Sequence, residues 1–347
     1  MTALRSPILP EPPAREQKPQ PADLPPAITR QLEKLLGAKV VDSTFAYGGL
    51  SVSAAFIFTL DNGAKIFAKG SHPGDTAHGA KNLAQEVFVY ECLDVVRETS
   101  PPYLGLVSDG EEDGWMLGVW RCVEHDPKKA SADRVVASLN SWQRTQSAKA
   151  LLPTAREHVY ISQLLSGEKK WLRLRNDEMA KKKFFAMFRN PEAGRAWFDK
   201  NVPTLCQYQL RAEKMRAEEG LVHGDLRIDN FLFGEKTWVI DWPNACWGPL
   251  VFDLVFLFSN MEALGYGVFE DLITSYTKVT GKMPEPDDQV AVLTALSGYF
   301  ADQAYREVVD KMPRLRWMQK SMLLAQLRIL ARFGIIESPP ALLGENQ

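Results

Sequence analysis

Cysteine is scarce in this 347-residue chain, and Cys92, Cys122, Cys206 and Cys246 form no CxxC pair. The five histidines show no HxxxH spacing. A zinc site is therefore not expected, and the thiols are read as reduced, in a cytoplasmic protein. An excess of charge of one sign is also missing. Lys and Arg number 41 against 43 Asp and Glu, a net charge of -2. No overall field points to nucleic acid or to an anionic membrane as partner. No apolar run reaches the roughly 18 residues that span a bilayer, and the longest, Pro249–Phe258, is interrupted by Asp253. The N-terminus does not combine a basic start with an apolar stretch, so no secretory signal is expected.

The remaining composition, 45% hydrophobic and 24% charged, is that of a folded globular chain. Three segments are expected. Residues 1–26 hold eight of the 22 prolines. Short of amide donors, they are read as a disordered tail, with docking of a partner on a PxxP-type ligand as the second reading. Residues 27–123 alternate with period two. Strands are expected over 40–47, 52–60, 64–69, 104–108 and 115–123, with helices over 27–36 and 81–96. Asp61-Asn62-Gly63 marks a tight hairpin, because Asn-Gly takes positive φ readily. Residues 124–347 are mostly helical, interrupted only over 221–241. The fold class is thus α+β, a small five-stranded antiparallel lobe followed by a larger helical lobe.

That interruption carries the chemistry. It reads Leu221-Val-His223-Gly224-Asp225-Leu-Arg227-Ile-Asp229-Asn230, and then Ile240-Asp241-Trp242. Phosphoryl transfer needs a carboxylate to orient the attacking hydroxyl and take its proton. It also needs hard oxygen ligands for magnesium and a cation on the phosphates. Asp225 suits the first role; Asn230 and Asp241 suit the second.

The arrangement resembles the aminoglycoside/choline phosphotransferase family, a branch of the protein-kinase-like fold. The family's H-G-D-x-x-x-x-N run matches His223–Asn230, its I-D-(F/W) motif matches Ile240-Asp241-Trp242, and its Gly-Pro…Asp-Leu element matches Gly248-Pro249 and Asp253-Leu254. The resemblance implies two lobes with nucleotide bound in the cleft. It makes Asp225 the catalytic base, Asn230 and Asp241 the metal ligands, and Asp253 a brace for the catalytic loop. Tyr47-Gly48-Gly49-Leu50-Ser51 looks like the turn that covers the phosphates, which assigns Gly48, Gly49 and Ser51 to nucleotide binding. Lys69 matches the phosphate-holding lysine and Glu86 its ion-pair partner. Helix phase supports Glu86 independently, since it shares a face with Leu83, Tyr90 and Leu93; Glu91 is the runner-up. The connector from Trp120 to Val123 would pass the adenine edge, with Arg121 and Val123 reading it. The implied cofactors are ATP or GTP and Mg2+.

Bland readings stand beside these. His223 is expected to be a scaffold of its loop, and Trp242 and Trp247 to be core, with substrate stacking second for Trp247. The cationic run between Lys169 and Arg189 is read as a solvated face. If it bordered the acceptor it would disfavour a polycation. Glu285, Asp287 and Asp288 are read as a surface loop. Eleven residues separate Asp241 from Asp253, too few for the long activation segment that presents peptides in protein kinases. The expected reaction is therefore transfer from ATP or GTP to a hydroxyl on a small molecule. The alternatives are a nucleotide-binding pseudo-kinase or scaffold, and an interaction protein that works through its proline-rich leader.

Overall fold

The computed structural model describes residues 6–46, 48–75, 79–111, 114–165 and 169–344. Tyr47, expected to end the first strand and begin the glycine turn, lies outside them.

The chain begins with α1 (Pro26–Leu36), which stops where Gly37 adopts φ 64°. Then follow β1 (Val40–Phe45), β2 (Ala54–Leu60), β3 (Lys65–Ser71), α2 (Gly79–Cys92), α3 (Asp94–Thr99), β4 (Tyr103–Ser108) and β5 (Met116–Arg121). These strands form one antiparallel sheet in the order β1-β2-β3-β5-β4. Gly63, at φ 82°, makes the β2–β3 turn that Asn62-Gly63 signals. The single helix expected over 81–96 is split at Leu93, whose backbone is extended. Arg97 covers the break by donating to the carbonyls of Tyr90 and Glu91.

The helical stretch holds α4 (Ala132–Trp142), α5 (Val159–Leu165), α6 (Lys170–Asn176), α7 (Glu178–Phe185) and α8 (Pro191–Ala212), then β6 (Glu219–Val222). A hairpin of β7 (Phe231–Phe233) and β8 (Thr237–Val239) follows. The chain ends with β9 (Cys246–Pro249), which pairs with β6, and with α9 (Leu250–Ala263), α10 (Phe269–Thr280), α11 (Pro286–Ala304) and α12 (Leu315–Arg332). The long α8 stops at Ala212, and six residues follow before β6 begins at Glu219. Glu285, Asp287 and Asp288 open α11 instead of forming a loop, where carboxylates suit the exposed amides of a first turn.

Two compact units result. One takes residues 16–130 and 229–245; the other takes residues up to 15, then 131–228 and 246 onward. This corrects the expected boundaries, because the β7–β8 hairpin joins the sheet-bearing unit. Side-chain and backbone bonds hold it there: Asp126 N donates to Phe233 O at 2.8 Å, Phe233 N to His125 Nδ1 at 3.0 Å, and Trp242 Nε1 to Ser100 Oγ at 2.9 Å.

In the sheet unit, Ile66 and Ala68 of β3 join Phe56, Phe58, Leu117 and Val119 in a core closed by Ile28 and Leu32 of α1. Side chains alternate across a strand, so Lys69 points to the opposite face, where α2 packs against β3. In the helical unit, α9 is buried along its whole inner length, Leu250 to Met261, as a helix apolar on all sides should be.

The leader is the second correction. Far from a disordered tail, its residues 6–15 lie on the helical unit. Ile8 N donates to Ala263 O at 2.9 Å, Trp317 Nε1 to Leu9 O at 3.1 Å, and Arg314 pairs with Glu11 at 2.8 Å. Proline removes donors but leaves every carbonyl, and side-chain donors reach these. Leu9 is buried. Replacing it with aspartate is expected to destabilise the fold by about 1–3 kcal/mol, read as a fall in Tm; an unchanged Tm would return the leader to disorder.

Candidate functional site

In the sheet unit, Lys69 Nζ lies 2.9 Å from Glu86 Oε2 and 2.6 Å from Asp241 Oδ1. The strand pleat supplies the lysine, α2 supplies Glu86, and the end of the β7–β8 hairpin supplies Asp241. Glu86 is 3% exposed, whereas Glu91 is exposed. Helix phase thus selects the residue that meets the lysine. Glu86 also accepts a bond from the Trp242 backbone N–H. Burial alone would lower the pKa of the Lys69 ammonium, but the carboxylates of Asp241 and Glu86 outweigh it and hold the group above the usual lysine value. Burial pushes the Glu86 carboxyl up, the lysine pulls it down, and the charge of Asp241 adds to the rise.

Asp241 has φ 73°, left-handed backbone that a non-glycine residue adopts at a cost. Ile240 N donates to Asn230 O at 3.0 Å, so the hairpin fixes Asn230 and Asp241 relative to each other. Asn230 is buried. Among the described residues no group of three or more His, Cys, Asp and Glu side chains forms a metal cluster. The oxygen donors of Asn230 and Asp241 nonetheless fit magnesium, which takes one or two protein oxygens and fills its shell with phosphate and water.

Gly48 and Gly49 have φ of 147° and 65°, conformations that glycine adopts without strain, and Ser51 is exposed beside them. At the connector, Arg121 N donates to Pro102 O at 2.9 Å and Cys122 N to Lys65 O at 3.2 Å. Among the described residues the Val123 amide makes no hydrogen bond, so of the expected pair it is the one left for a ligand edge. Trp242 is fully buried, with its indole nitrogen on Ser100.

The helical unit holds a polar arrangement of its own. His223 N donates to Asp253 Oδ2 at 2.7 Å and Gly224 N to Oδ1 at 3.0 Å. Asp253 is fully buried in the first turn of α9. Ile228 N donates to Asn260 Oδ1 at 3.0 Å. Two residues seven apart on α9 thus clamp both ends of the loop that presents Asp225. Asp225 itself is partly exposed, and its N–H faces His223 Nδ1 at 3.4 Å, so His223 serves as scaffold. Trp247 is buried on β9, its indole nitrogen on Glu219, which fits its core reading.

Three residues here were not singled out from sequence. Asn260 was signalled by a second polar residue at i+7 from Asp253 in an apolar run. Tyr160 and Tyr299 left no comparable mark. Burial raises both phenols, and the charge of Asp225 raises them further.

A family model described as the phosphotransferase enzyme family (APH) matches residues 49–286. No curated protein matches the chain by sequence. Solved structures that share the fold include the following three. A thermostable mutant of aminoglycoside phosphotransferase APH(4)-Ia, bound to ADP and hygromycin B, is 15% identical with a TM-score of 0.53, covering 86% of this chain and 98% of that one. Choline kinase LicA from Streptococcus pneumoniae is 16% identical with a TM-score of 0.53, covering 85% and 97%. Amicoumacin kinase hAmiN, in complex with AMP-PNP, Ca2+ and Ami, is 12% identical with a TM-score of 0.50, covering 85% and 92%.

Burial pushes the Asp253 carboxyl up to about 7, against the two backbone bonds that favour its ionised form, and the charge of Asp225 adds to the rise. Its ordinary value is 3.8. A carboxyl raised on folding gains a proton in the folded state, so its contribution is full at low pH and is lost as pH rises through about 7. Asp253→Asn loses one acceptor and is expected to cost about 1–3 kcal/mol. The deficit against the parent should be largest below about pH 4 and narrow as pH rises to about 7 in urea titrations. A deficit that does not vary with pH would refute the assignment.

Proposed function

Because the chain belongs to the phosphotransferase enzyme family, we propose that it transfers the γ-phosphoryl group of ATP, or GTP, to a hydroxyl of a small molecule. The observation that carries this reading is Lys69 held between Glu86 and Asp241 in the unit that also holds Asn230. A structural ion pair needs one carboxylate for one lysine. Here a second acid stands on the same ammonium, in strained backbone, at the end of the family's metal motif.

In this reading Lys69 takes the α- and β-phosphate oxygens, and Glu86 keeps its ammonium aimed. Gly48, Gly49 and Ser51 cover the phosphates with backbone N–H groups. Val123 reads the base edge; the Arg121 amide is already bonded within the sheet, so Arg121 contributes its position only. Asn230 and Asp241 hold magnesium, which when bound neutralises charge on the phosphate oxygens. Asp225 accepts the proton of the acceptor hydroxyl while that oxygen bonds to the γ-phosphorus. The bond from phosphorus to the β–γ bridging oxygen breaks, and the nucleoside diphosphate leaves with the electron pair. The neighbours' nucleotide complexes support a nucleoside triphosphate as donor. Fixing the loop through Asp253 and Asn260 serves catalysis by positioning, the main contribution a protein makes to this reaction.

Asp225→Ala is expected to lower turnover by about 10²–10⁴-fold, while the rise in Tm on adding nucleotide and magnesium persists. Turnover equal to the parent's would remove Asp225 from the role of base. Asp241→Asn should instead abolish the magnesium-dependent part of the nucleotide-induced rise in Tm. Retention of that part would place the metal elsewhere.

A further inference from the structure

The glycine turn of the sheet unit has no charged side chain of its own. From Gly48 to Val52 it offers Gly48 and Gly49, the buried Leu50 and Val52, and the exposed hydroxyl of Ser51. The ion triad does not make up for this, because the one ammonium of Lys69 stands against two carboxylates, Glu86 and Asp241. A nucleoside triphosphate is a polyanion that one magnesium ion neutralises only in part. A phosphate site built from these groups alone is short of positive charge.

The leader brings a cation to the turn. A Cβ placed on Gly49 would lie 3.9 Å from Lys18 Nζ. Gly49 has φ 65° and no side chain, so it puts no atom of its own between its backbone and that ammonium. Both residues belong to the sheet unit. Lys18 lies outside residues 49–286, the stretch that the family model matches.

The backbone that carries Lys18 is pinned. Pro19 and Pro21 fix φ on either side of Gln20. Gln20 N donates to Asp23 Oδ2 at 2.7 Å, Asp23 N donates back to Gln20 O at 2.9 Å, and Gln20 Nε2 donates to Lys18 O at 3.3 Å. The single turn Pro21–Asp23 packs on β1, and Leu24 joins the sheet core beside Ile28 and Leu32. Lys18 is half-buried, where a lysine is uncommon. It makes other interactions as well. An ammonium has three donors, so those interactions and a phosphate oxygen are compatible.

We propose that Lys18 is a further phosphate-binding residue of the nucleotide site, its ammonium taking a phosphate oxygen at the Gly48–Ser51 turn, so that the leader helps to close the turn over the nucleotide. The inference rests on the reading of that turn as the cover of a nucleoside triphosphate. It gives the stretch from Glu16 to Leu24 a task beyond packing: holding one charge where the turn has none.

The test is isothermal titration calorimetry on the full chain with magnesium, using AMP-PNP or GMP-PNP, whichever the parent binds more tightly, and the matching nucleoside, which lacks phosphates. Lys18→Gln is expected to raise Kd for the triphosphate analogue about tenfold or more, the loss of one charge-assisted hydrogen bond. Kd for the nucleoside, and Tm without nucleotide, should stay at the parent's values. Lys18→Arg should recover most of the affinity, and Lys18→Glu should lose more than Lys18→Gln. If Lys18→Gln binds the analogue as tightly as the parent does, the inference is overturned and the phosphotransferase reading stands. Equal loss for analogue and nucleoside overturns it too, since that is the mark of a merely structural residue. If the parent binds neither analogue, the phosphotransferase reading fails and the inference falls with it.

Discussion

The ion triad of Glu86, Lys69 and Asp241 is the constraint on which the sheet unit turns. A carboxylate as buried as Glu86 cannot stay ionised without a partner. Its lysine must therefore stand on the face of β3 away from the α1 core. That requirement fixes the register of β3, since a shift of one residue would send Lys69 into the apolar layer with Ile66 and Ala68. It also fixes the rotation of α2. The second acid follows from the first pair: with Lys69 positioned, Asp241 has a cation to meet, and that contact helps to hold it in a backbone conformation that costs energy on its own.

The helical unit solves a matching problem by different means. A loop that presents a partly exposed carboxylate has backbone amides with no strand or helix partners. Asp253 and Asn260 accept three of them, at His223, Gly224 and Ile228, from within a helix that is buried from Leu250 to Met261. Burying such polar groups is tolerable because each is hydrogen-bonded. The apolar surroundings of α9 give those bonds their rigidity.

Much of this was legible in the sequence because it depends on short-range patterns. Alternation over 52–60 and 64–69, the Asn62-Gly63 turn and the phase of Glu86 against Leu83, Tyr90 and Leu93 are each set by neighbours within a few positions. What sequence missed depends on distant partners. β6 and β9 are four residues each and pair across more than twenty positions. The β7–β8 hairpin was assigned to the helical part because its neighbours in sequence are helical, although its hydrogen bonds go to Ser100, His125 and Asp126. The leader was read as disordered because proline composition reports lost donors but not the carbonyls that Trp317 can reach. Tyr160 and Tyr299 were invisible because a tyrosine in a helix is most often core, and only the folded arrangement brings both within range of the charge of Asp225.

The hairpin's placement has a consequence for how the chain can be divided. Its backbone passes between the two units after residues 15, 130, 228 and 245, so the unit bearing the lysine is not a contiguous stretch. A gene fragment ending at residue 130 encodes the five-stranded sheet but omits Asn230 and Asp241, leaving Lys69 with one acid instead of two. A protease that nicks the connector once would, by the same connectivity, release neither part. The small unit cannot be passed on or swapped as a cassette; it is inherited only together with the helices through which its own sequence is threaded.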